Sequence, residues 1–214
     1  MNSFYSDTLY PLQDKVLKTL SQLDLPFYLT GGTALSRGYY QHRYSDDLDL
    51  FVNQSNQFET LATKALTGLK DFDVAISTKT SHYYSVLIDK KLKIDFVNDT
   101  GQQLGETVIR TFFSKVDSWQ NILANKLTAL LGRDDPKDLV DVWVIAQHEK
   151  INWSFFFEAA GSKAVGIFPP QVAEKIDSFP LELLSVIKWA ENTQPAPEIF
   201  KRDIQKIIDE MLRA

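Results

Sequence analysis

Residues 30–51 read TGGTALSRGYYQHRYSDDLDLF, and the fold turns on how they are read. Just upstream, residues 27–30 form an apolar run stopped at once by Gly31-Gly32, which predicts a short buried strand and a turn. Residues 33–40 then predict a brief helix. Over residues 47–52, Leu48, Leu50 and Val52 alternate with Asp47, Asp49 and Phe51, the period of a strand with one buried face. Asp47 and Asp49 therefore project together. Two ionised carboxylates side by side repel, and a divalent cation relieves the repulsion. Oxygen-only ligands that leave coordination positions open suit Mg²⁺, which keeps water and substrate phosphate as partners. The glycines expose backbone N–H groups where a helix begins, a place that favours a phosphate, and Thr33 adds a hydroxyl. Taken singly, each piece has a plainer explanation: a turn, or charges that protect a sheet edge. Their order on consecutive elements points to a site for metal and polyphosphate.

Outward from this stretch the period of the apolar residues changes. Leu9, Leu12, Val16, Leu20 and Leu23 recur at helical spacing, with Asp7 as N-cap, Pro11 in the first turn and Pro26 as the stop. Ser55 is placed to cap a helix carrying Phe58, Leu61, Ala65 and Leu69. Strands are predicted over residues 72–79, 83–89 and 92–97, with Asp89-Lys90-Lys91 turning the last two into a hairpin. In the final strand Ile94 and Phe96 share one face, leaving Lys93, Asp95 and Val97 on the other. Set beside the Asp47 strand, Asp95 would close a three-carboxylate cluster able to hold two Mg²⁺ ions about 3.5–4 Å apart.

Beyond Ser114 the pattern stays helical. Trp119, Ile122, Leu123, Leu127, Leu130 and Leu131 make one stripe; Leu139, Val142, Trp143 and Ala146 make a second after Pro136. Further helices are predicted over residues 153–160, 170–176, 181–190 and 197–212. Strands mixed with helices, then helices alone, predict an α/β (α+β) unit over residues 1–115: a mixed β-sheet with flanking helices, followed by a helical bundle over residues 116–214.

The 214 residues are 44% hydrophobic and 24% charged, which fits one or two folded domains and excludes wholesale disorder. There is no cysteine, so disulfides, thiolate metal sites and cysteine nucleophiles are excluded, as suits a reducing cytoplasm. Residues 1–15 lack a basic segment followed by an apolar run, and nowhere do about 18 apolar residues run together, so neither a secretory leader nor a membrane helix is expected. The net charge of −5 argues against a chain that coats nucleic acid non-specifically, though it allows a local basic patch. His42, His82 and His148 are scattered without zinc spacing. His42 and Arg43 fit either a phosphate contact or a surface loop pair. Tyr39, Tyr40, Tyr83 and Tyr84 fit core or rim packing better than stacking on a base.

At these residues the chain resembles the nucleotidyltransferase superfamily, whose signature is a Gly-Gly or Gly-Ser turn followed by a D-x-D or D-x-E strand. The likeness narrows to the AbiEii/AbiGii-type toxins of abortive-infection systems, which read G-G-T-A-L and then H-R-x-S-x-D-L-D-L-F. Here these are residues 31–35 and 42–51. A second block agrees, with Lys126 in ILANKLTAL (residues 122–130), then Arg133, then Lys137-Asp138-Leu139-Val140-Asp141 against the family's R-D-x-x-D. Lysine at 137 keeps the charge of the family's arginine but not its planar fork. The likeness spans residues 27–146.

The resemblance implies Mg²⁺-dependent transfer of a nucleotide from an NTP to an acceptor hydroxyl, by the toxin of a toxin–antitoxin or phage-defence pair. On matching positions, Asp47 and Asp49 hold the metal, with Asp95 a third ligand. Gly31, Gly32, Thr33 and Ser45 lie at the nucleotide. The helical domain contributes Lys126 to the triphosphate and Asp138 to organise the site. A tRNA 3′ end or another RNA is the acceptor it favours, and a cognate antitoxin the protein partner. Modification of a small molecule or a protein, or a non-catalytic interaction module on the same fold, are the rival readings.

Overall fold

The structure, a computed structural model, describes residues 3–214; Met1 and Asn2, at the head of the stretch read for a leader, lie outside the described residues. The chain divides into two compact units: residues 1–39 with 44–118, and residues 40–43 with 119–214.

The first unit is a five-stranded mixed sheet with helices on it. A π-helical turn, Tyr5–Leu9, runs into α1 (Tyr10–Ser21). Asp7 lies inside that turn, so it is not the N-cap its position suggested. Next come β1 (Tyr28–Thr30) and α2 (Gly31–Leu35), which continues as a π-helical turn, Ser36–Tyr40. The helix thus starts at Gly31, two residues before the expected Thr33. A backbone at φ +68° opens it, a conformation glycine adopts without the penalty of a Cβ. Then follow β2 (Leu48–Asn53), α3 (Phe58–Gly68), β3 (Val74–Lys79), β4 (Tyr83–Ile88) and β5 (Leu92–Asp99). Ser55 does not cap α3: its hydroxyl accepts from the Gln57 N–H just ahead of the helix. Asp89 and Lys90 take left-handed backbone conformations and close the β4–β5 hairpin.

The strand order is β1-β2-β5-β4-β3, with β2 and β5 parallel and every other pair antiparallel. Leu48, Leu50 and Val52 of β2, Ile94 and Phe96 of β5, and Tyr84, Val86 and Ile88 of β4 are buried. Phe27 meets Phe96 and Phe58 edge-on, and Phe58 meets Tyr84 in the same way. The opposite face of β2 and β5 carries the acidic residues.

The second unit is helical: α4 (Trp119–Gly132), α5 (Pro136–His148), α6 (Trp153–Lys163), α7 (Pro169–Asp177), a 3-10 turn over Leu181–Val186, and α8 (Pro197–Leu212). Asp135 caps α5 by accepting from the Lys137 N–H, with Pro136 in the first helical position. The long helix expected over residues 181–190 is not formed. After the 3-10 turn Ile187 is extended, and Trp189 bridges to Arg43 as an antiparallel partner. Among the described residues no helix is long and apolar enough to cross a membrane.

Candidate active site

The acidic face is set by strand register. Asp49 of β2 is the direct partner of Asp95 on the parallel strand β5, so the two acidic residues stand side by side on strands whose backbones run about 4.8 Å apart. Like charges placed so are destabilising unless a cation answers them. One cation is built in: Lys93 Nζ donates to Asp95 Oδ2 at 2.5 Å, while Ser85 Oγ donates to Asp95 Oδ1 at 2.7 Å. Burial opposes the charge on Lys93, but the hydrogen bond and charge of Asp95, with Tyr83 and Asp47 beyond, hold its pKa above the ordinary lysine value. Asp95 is buried and Asp47 and Asp49 are half-buried.

The glycine turn faces this group. A Cβ added at Gly31 would stand 2.2 Å from Asp49 Oδ2, so only a residue without a side chain lets the turn approach the carboxylate. Thr33 is fully buried and its hydroxyl donates to the Asp47 carbonyl at 2.5 Å. That hydroxyl ties the start of α2 to the start of the acidic strand. Ser45 is buried, its carbonyl accepting from Gln13 and its N–H donating to Tyr10. Asp46 takes the Tyr5 hydroxyl on its carboxylate.

Whether these residues suit a divalent cation follows from the donor set. Among the described residues no three histidine, aspartate or glutamate groups already converge as a ready-made metal cage. What the fold supplies is two carboxylate residues in register on neighbouring strands, with the Gly31 turn packed directly on Asp49. Hard carboxylate oxygens are the donors that suit Mg²⁺.

Gly31→Ala is expected to lower the melting temperature by roughly 2–6 °C, from about 1–2 kcal/mol of left-handed backbone strain. Turnover should fall further, because the methyl displaces Asp49. Gly132→Ala is the control, since a Cβ there meets nothing within 4 Å. Calorimetry on the two variants checks the contrast.

The second unit holds a buried ionic cluster. Asp141 accepts from His42 Nε2 at 2.9 Å, from Arg43 Nε and Nη2 at 2.8 and 2.7 Å, and pairs with Lys126 Nζ at 2.6 Å. Lys126 also donates to Asp138 at 2.7 Å, and Arg133 grips Asp138 with Nε at 2.7 Å and Nη2 at 3.0 Å. Arg133 thus supplies the planar fork that lysine at 137 lacks. Burial opposes the charge on Lys126, but Asp141 and then Asp138 raise its pKa. Burial likewise opposes ionisation of Asp141, yet Arg43 and Lys126 hold it well below the carboxylate range. Burial dominates at His42 and lowers its pKa, against the hydrogen bond and charge of Asp141. His42 and Arg43 therefore form neither a surface loop pair nor an exposed phosphate contact. Further bonds tie their segment down: the His42 carbonyl accepts from Ala190 N and Thr193 Oγ1.

Of the two side chains that hold Asp95, one escapes a reading of the sequence. Lys93 was signalled by its place two residues before Asp95, on the same face; Ser85 had no such signal, because only strand pairing sets it opposite Asp95. Of the tyrosines, Tyr84 is core, Tyr40 stacks on His148, and Tyr39 lies under Arg110.

Over residues 15–213 the sequence matches the family model described as the nucleotidyl transferase AbiEii toxin of type IV toxin–antitoxin systems. Among curated proteins none matches. Two solved structures share the fold at low identity. The nucleotidyltransferase toxin MenT4 of Mycobacterium tuberculosis is 16% identical, with a TM-score of 0.62 over 96% of this chain and 83% of that one. JHP933 of Helicobacter pylori is 17% identical, with a TM-score of 0.61 over 97% and 93%.

Proposed function

Because the chain belongs to the AbiEii family of nucleotidyltransferase toxins, we propose that it transfers a nucleotide from an NTP to an acceptor hydroxyl with Mg²⁺, as the toxin of a toxin–antitoxin pair. The observation that supports this most is the setting of Asp49, paired in register with Asp95 and closed upon by the side-chain-free face of Gly31.

Asp47 and Asp49 would hold Mg²⁺, with Asp95 as the third carboxylate. When bound, the ion supplies positive charge at the phosphates and a lowered pKa at an attacking hydroxyl. The protein's own part is to place groups. Thr33 fixes the Asp47 backbone, Ser85 orients Asp95, and the Gly31-Gly32 N–H groups would face phosphate oxygens. Ser45 lies in the same strand approach.

Lys126 is assigned to neutralising triphosphate charge and Asp138 to orienting that lysine. Three cations, Arg43, Lys126 and Arg133, stand against two carboxylates in their cluster, which favours an anion. An RNA acceptor, a tRNA 3′ end above all, an antitoxin partner and a cytoplasmic place of action, where NTPs are abundant, complete the proposal.

The experiment is label transfer: the protein with each α-labelled NTP in turn, Mg²⁺ and total RNA. Label in RNA, lost with EDTA, is the expected result. Label that follows protein or a small solute instead would replace the acceptor, and no transfer from any NTP would overturn the activity.

A further inference from the structure

Both oxygens of Asp95 have partners inside the first unit: Ser85 on Oδ1 and Lys93 on Oδ2. The two partners differ in kind. Ser85 is buried on β4 and sits in register with Asp95, so its hydroxyl is a fixed fitting of the sheet. The Lys93 side chain is 45% exposed, on a flexible stem, and approaches from the solvent side of the same strand. Its ammonium also lies within electrostatic reach of Asp47 and Tyr83. A solvent-accessible cation therefore rests against Asp95, with Asp47 within reach of its charge.

We propose that Lys93 is a resident counter-cation: its ammonium neutralises the carboxylate face while no divalent ion is bound, and it leaves Asp95 Oδ2 when one binds. The reason is electrostatic. Asp49 and Asp95 are direct cross-strand partners, and without a cation their repulsion would splay β2 from β5 at the point where register must hold. A divalent ion and an ammonium brought to the same carboxylate repel each other at short range, so the binding of one weakens the hold of the other. Binding is then an exchange of one cation for another on a framework already in place. Ser85 keeps Asp95 oriented throughout, because its hydroxyl holds the other oxygen.

This inference rests on the reading of Asp47, Asp49 and Asp95 as metal ligands. Its test is titration of the full chain with Mn²⁺, without nucleotide, by calorimetry, together with thermal unfolding in EDTA. Lys93→Met is expected to bind Mn²⁺ roughly tenfold more tightly than the parent. It should melt lower in EDTA and recover more on addition of the ion. Lys93→Arg keeps a cation at the position and is expected to stay close to the parent in both measurements. Equal or weaker Mn²⁺ binding by Lys93→Met would overturn the exchange and leave the metal reading intact. No saturable Mn²⁺ binding by either protein would overturn both.

Discussion

Asp49→Asn is expected to lower nucleotidyl transfer by on the order of 10³-fold, with the melting temperature unchanged or slightly raised. The loss of rate follows from the role proposed for the carboxylate: a neutral amide neither attracts a divalent ion comparably nor offsets charge along the reaction, and such losses fall near 10²–10³-fold for one electrostatic group. The gain in stability follows from register. Asparagine has the shape of aspartate, so the contact with Gly31 survives while the repulsion against Asp95 disappears. Activity and stability therefore move in opposite directions, which a variant that merely unfolds cannot imitate. Asp47→Asn should lower the rate similarly, and the double variant should be little worse than either single one, because groups that hold one ion fail together. The kcat/KM of label transfer, measured beside a melting curve, decides it. Activity within tenfold of the parent would remove Asp49 from the site.

The larger structural effect lies at Asp141. Asp141→Ala is expected to destabilise the helical unit by about 3–5 kcal/mol, since it leaves Arg43 and Lys126 buried with their shared carboxylate gone. Asp141→Leu with Arg43→Met should recover much of that loss, because a matched apolar pair strands no charge. The same cluster sets a pH limit. The pKa values of Asp138 and Asp141 are depressed in the folded protein, so their contribution is fully present above the unfolded carboxylate value near pH 4 and is lost as pH falls through the folded values. Urea unfolding of parent and variant from pH 7 down to pH 3 checks both points. The parent should lose stability steeply in acid, and Asp141→Ala should start low and fall less.

How much of this was legible in the sequence depends on whether a feature is local. Helix α8 begins and ends where its apolar period, its Pro197 and its length placed it. The alternation over β2 gave the acidic face, and the left-handed Asp89-Lys90 turn followed from its hairpin context. Residues 181–190 misled because their helical spacing is weak beside a long-range pairing: Trp189 joins Arg43, and the chain straightens to reach it. The buried cluster was hidden for a related reason. His42 and Arg43 meet Asp141 across nearly a hundred residues, and no period in the sequence records that. The residues proposed for catalysis were conspicuous as a motif, whereas their supports, Ser85 and the Asp141 cluster, became visible only through pairing.

The segment Tyr40–Arg43 belongs with the helices although its neighbours on either side belong with the sheet. The polypeptide therefore passes from one body to the other three times, and no single cut separates them cleanly. A fragment of residues 119–214 would lack the imidazole and guanidinium that answer Asp141, and a fragment of residues 1–118 would carry them without their anion. Expressed apart, each half is expected to be less stable than the whole, with its share of that buried charge left unanswered.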